Sequence, residues 1–422
     1  MKYIKVKAAL FAIFALSLLF FGSDFSIIDI EKTAIITALG VDVEDDGKYL
    51  VTAQIAVPES SDVGAENKHV ELSGTGVTVG AAVKKIGDVT GWFPHLSFCN
   101  LIVVGSKLAE DNIITVLDYF AKTLRMQDSA MVVLAENSAK DILSAATPLD
   151  KTPSFALQKV LFKNPGFDSD IASMAIKTFC LGYHDVAHSG YMPLVKIVSP
   201  NGFEEGSQNG QDGNNQGSES AESSASGGSS QSGGSQSGES QGAASGGADE
   251  KVFFANTTAL FKDGKKVGEL NAEQTLAFNA LSENITGTTI ELENISDGTD
   301  THNVLITVIK NRPHIGVSVQ NEGIEVAITL DLYCKISDRD AESSDTSYSK
   351  NVPLPDEVKK AAEQKITEDI SALITAEKTT GCDFLKVLQK IYRYHYKHFE
   401  KFKDDFTEKI NEKISVAVSG QK

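Results

Sequence analysis

The apolar positions near the start of the chain fall into two adjacent β-like stretches, 34–43 and 49–57, and Asp45-Asp-Gly47 stands between them as a turn. That pattern predicts a β-hairpin. Val79, Val83 and Ile86 then recur at helical spacing, predicting a helix over 77–89 that Gly91 stops. A strand follows over 96–104 and a helix over 109–124, with Ile113, Ile114, Leu117, Phe120 and Leu124 on one face. A strand over 130–135 and a helix over 139–145 come next. The pattern resumes with strands over 251–262 and 265–270 around an Asp263-Gly264 turn, then a short helix over 273–280. Strands are expected at 288–292, 304–310, 315–319 and 324–336. Pro353 and Pro355 set up a long helix over 356–375, whose apolar stripe is Val358, Ala362, Ile366, Ile370, Leu373 and Ile374. A helix over 384–398 and a strand over 414–418 close the chain. Strands and helices mixed in this way indicate an α+β fold, a multi-domain body of largely antiparallel sheets with packed helices.

Two stretches break the pattern. Lys2, Lys5 and Lys7 precede an almost unbroken apolar run, 8–21. A basic start with a short apolar core has the layout of a secretory signal. Phe20 and Phe21 crowd the only small pair, Gly22-Ser23, so the cleavage region is poor and an uncleaved anchor is favoured, basic end inside. The second break is 201–250, built of Gly, Ser, Gln, Asn and Ala, which cannot bury enough apolar surface to offset its ordering entropy. The expected organisation is therefore a signal or membrane anchor over 1–23, an N-terminal α+β region over 24–200 with room for two subdomains, a disordered linker over 201–250, and a C-terminal α+β domain over 251–422.

Composition adjusts this picture in two ways. The chain has 422 residues and a net charge of −18, but eight acids and no Lys or Arg fall in 201–250, so the linker supplies much of the imbalance. An acidic chain offers no electrostatic footprint for nucleic acid. The four cysteines, Cys99, Cys180, Cys334 and Cys382, are scattered without any Cys-x-x-Cys and read as small core residues rather than as disulfides or a metal site. His184 and His188 are four apart, a spacing that would hold a metal on one helical face, but Gly182 and Gly190 flank them and favour a loop. Asp42, Asp45 and Asp46 lack calcium-loop spacing. The run Tyr392-Arg-Tyr-His-Tyr-Lys-His398 reads as a core-packing aromatic face with a basic outer face, in preference to a base-stacking or membrane-facing helix. No catalytic, cofactor or metal residues are assigned, and no small-molecule ligand is expected from any motif.

Several segments taken in order resemble the Ger(x)C family, the GerAC-like C subunits of nutrient germinant receptors in endospore-forming Gram-positive bacteria. They are Glu31-Lys-Thr-Ala-Ile-Ile-Thr-Ala-Leu-Gly-Val-Asp42 with Tyr49-Leu-Val-Thr-Ala-Gln-Ile, and His95-Leu-Ser-Phe-Cys-Asn-Leu-Ile-Val-Val-Gly105. Further along come Thr258-Ala-Leu-Phe-Lys-Asp-Gly-Lys-Lys-Val-Gly-Glu-Leu270, Lys378-Thr-Thr-Gly-Cys-Asp383 ahead of an aromatic helix, and Ile414-Ser-Val-Ala-Val-Ser-Gly420. The resemblance implies a non-catalytic, membrane-attached receptor subunit on the outer face of the spore inner membrane. It also implies partnership with an A-type and a multi-span B-type subunit. Two departures stand out. Ser23 occupies the expected lipobox position, where family members carry a lipidated Cys, and Phe399, Phe402 and Phe406 stand in the final region where they tend to have a Trp. The competing readings are an extracytoplasmic envelope-processing hydrolase and a ligand-binding lipoprotein-like protein.

Overall fold

A computed structural model describes residues 7, 11–15, 17, 33–56, 69–122, 126–148, 150–162, 170–200, 251–296, 301–320, 323–340 and 354–420. The linker over 201–250 lies outside the described residues, as do Lys2, Lys5 and Ser23; Lys7 is described, helical and exposed. Among the described residues no helix is long and apolar enough to cross a membrane.

The elements run β1 (Thr33–Val43), β2 (Tyr49–Ala56), β3 (His69–Gly76), α1 (Val79–Thr90), β4 (Phe93–His95), β5 (Leu101–Val104), α2 (Ser106–Ala109), α3 (Ile114–Lys122), β6 (Met131–Ala135), α4 (Ala139–Leu143), α5 (Pro153–Leu161), α6 (Ile176–His184) and β7 (Ser189–Val198). Beyond 201–250 come β8 (Val252–Lys262), β9 (Lys265–Leu270), α7 (Ala272–Ser282), β10 (Thr289–Ser296), β11 (Thr301–Gln320), β12 (Gly323–Arg339), α8 (Asp356–Thr380), α9 (Val387–Tyr394), α10 (Tyr396–Phe402), a 3₁₀ turn (Phe406–Lys409) and β13 (Ile410–Gly420).

The first sheet has the order β3-β2-β1-β5-β6-β7-β8-β9, with β4 beside β1. Its centre, β1, β5, β6 and β7, is parallel, while both flanks are antiparallel. Parallel strands are covered on both faces, so they read as continuous apolar runs. Every residue of Leu101–Val104 and of Met131–Ala135 is buried. Their side chains alternate between two cores. Ile102, Val104, Val132 and Leu134 meet α1, α3 and α6, whereas Leu101, Val103, Met131 and Val133 meet α4 and α5.

The second sheet has the order β10-β11-β12-β13, with β13 parallel to β12. Strand β12 has strict period two: Ile324, Val326, Ile328, Leu330, Leu332 and Cys334 all enter one core. The α8 stripe Val358, Ala362, Ile366, Ile370, Leu373 and Ile374 enters the same core. Strand β11 runs through Pro313, which lacks an N–H, because β10 covers only the Thr301–Thr307 part of its edge. Farther along that edge Lys390 Nζ donates to Ile315 O at 2.9 Å, and the His395 ring lies 3.1 Å from Val317 O.

Where the structure departs from the hydrophobic pattern, glycines and polar groups decide. Strand β3 was not expected. Its Gly74 and Gly76 carry no pattern, yet they let α1 lie directly on it, since a Cβ at either would fall 2.4 or 2.6 Å from backbone atoms of Ala82. The strand expected over 96–104 begins only at Leu101, after a turn in which Cys99 N–H donates to Leu96 O at 3.0 Å. The helix expected from 109 starts at Ile114, whose N–H donates to Asn112 Oδ1 at 3.0 Å. The single helix expected over 384–398 breaks at His395.

The α+β class stands. The pattern divides the chain at 201–250 into two halves, but the first sheet crosses that division. Val198 pairs with Val252, and the antiparallel ladder continues to Ser189 and Lys262. Strand β8 serves three cores: Phe253 and Ala255 face α4 and α5, Ala259 and Phe261 face α3 and α6, and Leu260 enters the core of the second sheet. The regions on either side thus share a sheet, and 201–250 connects two neighbouring strand ends. With the chain statistics of a Gly/Ser linker, each halving of such a loop removes about 0.6 kcal/mol of closure entropy. Shortening it to about a dozen residues should therefore raise stability by about 1 kcal/mol. Urea denaturation of the shortened chain checks this, and a lost or split transition would contradict the shared sheet.

Candidate functional site

In open α/β sheets ligands favour the carboxyl ends of parallel strands, where a helix N-terminus supplies N–H groups. Here that position lies between β1 and α4. The Asp42 carboxylate accepts from Ala139 N–H at 2.8 Å, Lys140 N–H at 3.0 Å and Ser138 Oγ at 3.2 Å. Gly105 closes against it, since a Cβ there would lie 2.0 Å from Asp42 Oδ1. The donors that would cradle an anion are thus satisfied by the protein's own carboxylate. Asp45 pairs instead with Lys107 at 2.8 Å and Asp46 with Lys48, so the three aspartates do not converge.

His184 and His188 do not share a helical face. His184 ends α6 and its Nε2 lies 3.5 Å from Asp118 Oδ1, whereas His188, at φ 45°, turns its Nδ1 to Tyr183 O at 2.8 Å. Among the described residues no group of three potential metal ligands is assembled. The core-packing expectation for 392–398 needs correction. Tyr394 is 74% and Tyr396 64% exposed, while Ile391, Phe399 and Phe402 carry the packing. The break at His395 rotates the apolar face, which a single-helix pattern cannot show.

A buried polar cluster lies in the segment after α8. Gly381 ends that helix at φ 68°, and Cys382 and Asp383 turn into the body. Asp383 N–H donates to Ser189 Oγ at 3.0 Å, and the Cys382 thiol contacts Phe261 O at 3.2 Å, so the end of the β7–β8 ladder where Gly190 pairs with Phe261 is held on both strands. The Asp383 carboxylate then caps α9, accepting from Leu388 N–H at 3.0 Å and Gln389 N–H at 3.1 Å. The Gln389 side chain donates onward to Asp185. Glu377, fully buried on α8, accepts from Leu385 N–H at 3.3 Å through Oε2, and its Oε1 has no hydrogen-bond partner.

Burial, and then the neighbouring Asp383 charge, push the Glu377 carboxyl well above the usual carboxylate range. Burial also raises Asp383, but the α9 N–H groups favour its charged form. Of the two, Glu377 is the carboxyl whose surroundings more favour the neutral form. Lys390 is lowered by burial while both carboxyls oppose that shift. This cluster joins α8, α9 and the first sheet, and we term it the latch. It was visible beforehand only as the Lys378–Asp383 resemblance, because its partners Ser189, Phe261 and Asp185 are distant in sequence.

All four cysteines are buried and unbridged. Burial raises the Cys99, Cys334 and Cys382 thiols to about 12 and Cys180 to about 11, which suits packing rather than nucleophilic chemistry.

Comparison with known proteins gives a consistent result. Residues 26–197 match the family described as spore germination protein N-terminal domain, and residues 256–420 match spore germination B3/GerAC-like, C-terminal. Spore germination protein B3 of Bacillus subtilis (strain 168) is 28% identical over 130 residues, covering 30% of this chain and 34% of that protein. Spore germination protein KC of the same organism is 27% identical over 144 residues, covering 32% and 35% respectively. The matched region thus spans about a third of the length of these curated relatives. The crystal structure of the GerBC protein aligns over 93% of this chain and 100% of that one, at 15% identity and a TM-score of 0.49.

The latch makes a signed pH prediction. Glu377 binds its proton more tightly folded than unfolded, so as pH rises above about 4.5 the unfolded chain releases a proton that the folded chain keeps. Its contribution should therefore reduce stability progressively as pH rises through that window. Glu377→Gln should flatten the profile, read as urea midpoints between mildly acidic and mildly alkaline pH; an unchanged slope would contradict the assignment. Asp383→Ala leaves two helix N–H groups without an acceptor and should cost about 2 kcal/mol in the same assay.

Proposed function

We propose, for a chain that belongs to the GerAC-like family of spore germination proteins, the role of C subunit in a nutrient germinant receptor, attached to the membrane and without catalysis of its own. The observation that carries this reading is the match of both family domains, in order, on either side of 201–250. The side-chain chemistry supports it. Asp42 occupies the helix N-terminus at the strand ends, the thiols are buried, and the Glu377–Asp383 cluster faces inward to join layers. Such a body presents surfaces to partners, and the partners we propose are an A-type and a multi-span B-type subunit.

Attachment, in this reading, runs through the N-terminal apolar segment on the outer face of the spore inner membrane. Ser23 offers a hydroxyl, which cannot form the diacylglycerol thioether made at a lipobox cysteine. Lys2, Lys5 and Lys7 would hold the basic end inside.

Fractionation of dormant spores tests the role. The full chain should be recovered in the inner-membrane fraction and, after solubilisation, co-purify with a multi-span subunit; a strain lacking it should lose its response to a nutrient germinant. Recovery in the soluble fraction with an undiminished nutrient response would overturn the reading.

A further inference from the structure

The chain's single tryptophan, Trp92, sits on the surface, 39% exposed, between α1 and β4. Three apolar neighbours in sequence are also exposed: Val89 at 77%, Phe93 at 49% and Phe98 at 55%. Beside them the outer face of α1 opens a groove of about 740 Å³, with Lys84, Asp88 and Tyr119 among its lining. Scattered apolar side chains are ordinary on a surface, but Trp92 and Phe93 are adjacent aromatics that both line this groove, as at a contact face.

The position of this face says what covers it. Strand β4 pairs with the first residues of β1, Thr33 opposite Phe93 and Ile35 opposite His95. The chain thus enters the fold directly beside the aromatic cluster. Only residues 22–32 lie between the apolar run and that entry point, so even fully extended they reach about 40 Å. A compact chain of this size has a radius of gyration of roughly 22 Å, so the tether holds this end of the body toward the bilayer and the opposite end away from it. Phe11, Ile13 and Phe14 of the apolar run are 74%, 66% and 63% exposed, so they do not fill the groove. Two surfaces with exposed apolar side chains are joined by a short tether, and one bilayer accommodates both. Aromatic rings with a nearby lysine match the headgroup–acyl boundary, where Trp and Tyr collect and Lys meets phosphate.

We propose that the Trp92–Phe93–Phe98 end of the molecule beds into the lipid interface of the membrane that holds the N-terminal segment. The inference rests on the membrane attachment proposed above. The face would orient the body on the bilayer, a role separate from the tether itself.

Trp92 is its own reporter. The full chain is reconstituted into phosphatidylethanolamine–phosphatidylglycerol vesicles, with or without bromine on the acyl chains, and vesicle-bound protein is collected by flotation. Emission should fall by roughly half in the brominated vesicles, and aqueous iodide should quench little. The F93S/F98S variant, which changes only exposed side chains, should still float but lose most of the bromine quenching. Floating protein whose Trp92 is quenched by iodide and not by bromine would overturn the proposal while leaving the tether intact. Shielding from both quenchers would assign the face to a second copy of the chain and also overturn it. Protein that fails to float would overturn the attachment reading and this proposal together.

Discussion

The antiparallel pairing of β7 with β8 is the constraint on which the architecture depends. It brings together strands that the chain separates by more than fifty residues, and it makes Val252–Lys262 the seam of the molecule. A strand alternates its side chains, and the register shift of β8 opposite Leu194 and Lys196 turns that alternation over, so residues of one parity reach both layers. Strand β8 thus gives Phe253 and Ala255 to one helix layer, Ala259 and Phe261 to the other, and Leu260 to the core that carries the second sheet. The regions matched by the two family domains thus share a sheet, although the matches end at 197 and resume at 256.

The latch secures the same seam from the other side. Burying charge in an apolar junction is costly, and it persists where hydrogen bonds and neighbouring groups over-determine it. Asp383 has two helix N–H donors, and burial beside that charge pushes the Glu377 carboxyl toward its neutral form. Ser189 and Phe261 O receive the turn at Cys382-Asp383, which sets where α8 ends and α9 begins relative to the main sheet. Apolar packing alone would tolerate sliding between these layers; directional polar contacts define one register. That geometry suits the subunit role proposed above.

Local structure was legible where one face of an element is buried and the other is wet. The β1–β2 hairpin with Gly47 at φ 78°, the Asp263-Gly264 turn, the α8 stripe and the alternation of β12 follow from period and turn chemistry alone. Strand β3 was silent because its contribution to packing is the absence of side chains at Gly74 and Gly76. The exposure of Tyr394 and Tyr396 was hidden by a helix break that depends on His395 reaching a strand distant in sequence. The association of β8 with the first sheet was illegible for a general reason: pairing across a long insert leaves no local periodic signal. The candidate site shared that fate, since one short motif was visible and its partners were not.

Native-state hydrogen exchange, read at the amides of β8 against those of β6, tests the central claim that the two family-matched regions form one cooperative body. The account predicts that Leu260 and Phe261 exchange with the same opening free energy and the same denaturant dependence as Val132 and Val133, because the seam opens only when the whole sheet does. Opening of β8 and β9 together with the second sheet, at lower free energy than β6, would contradict it and restore two independent halves.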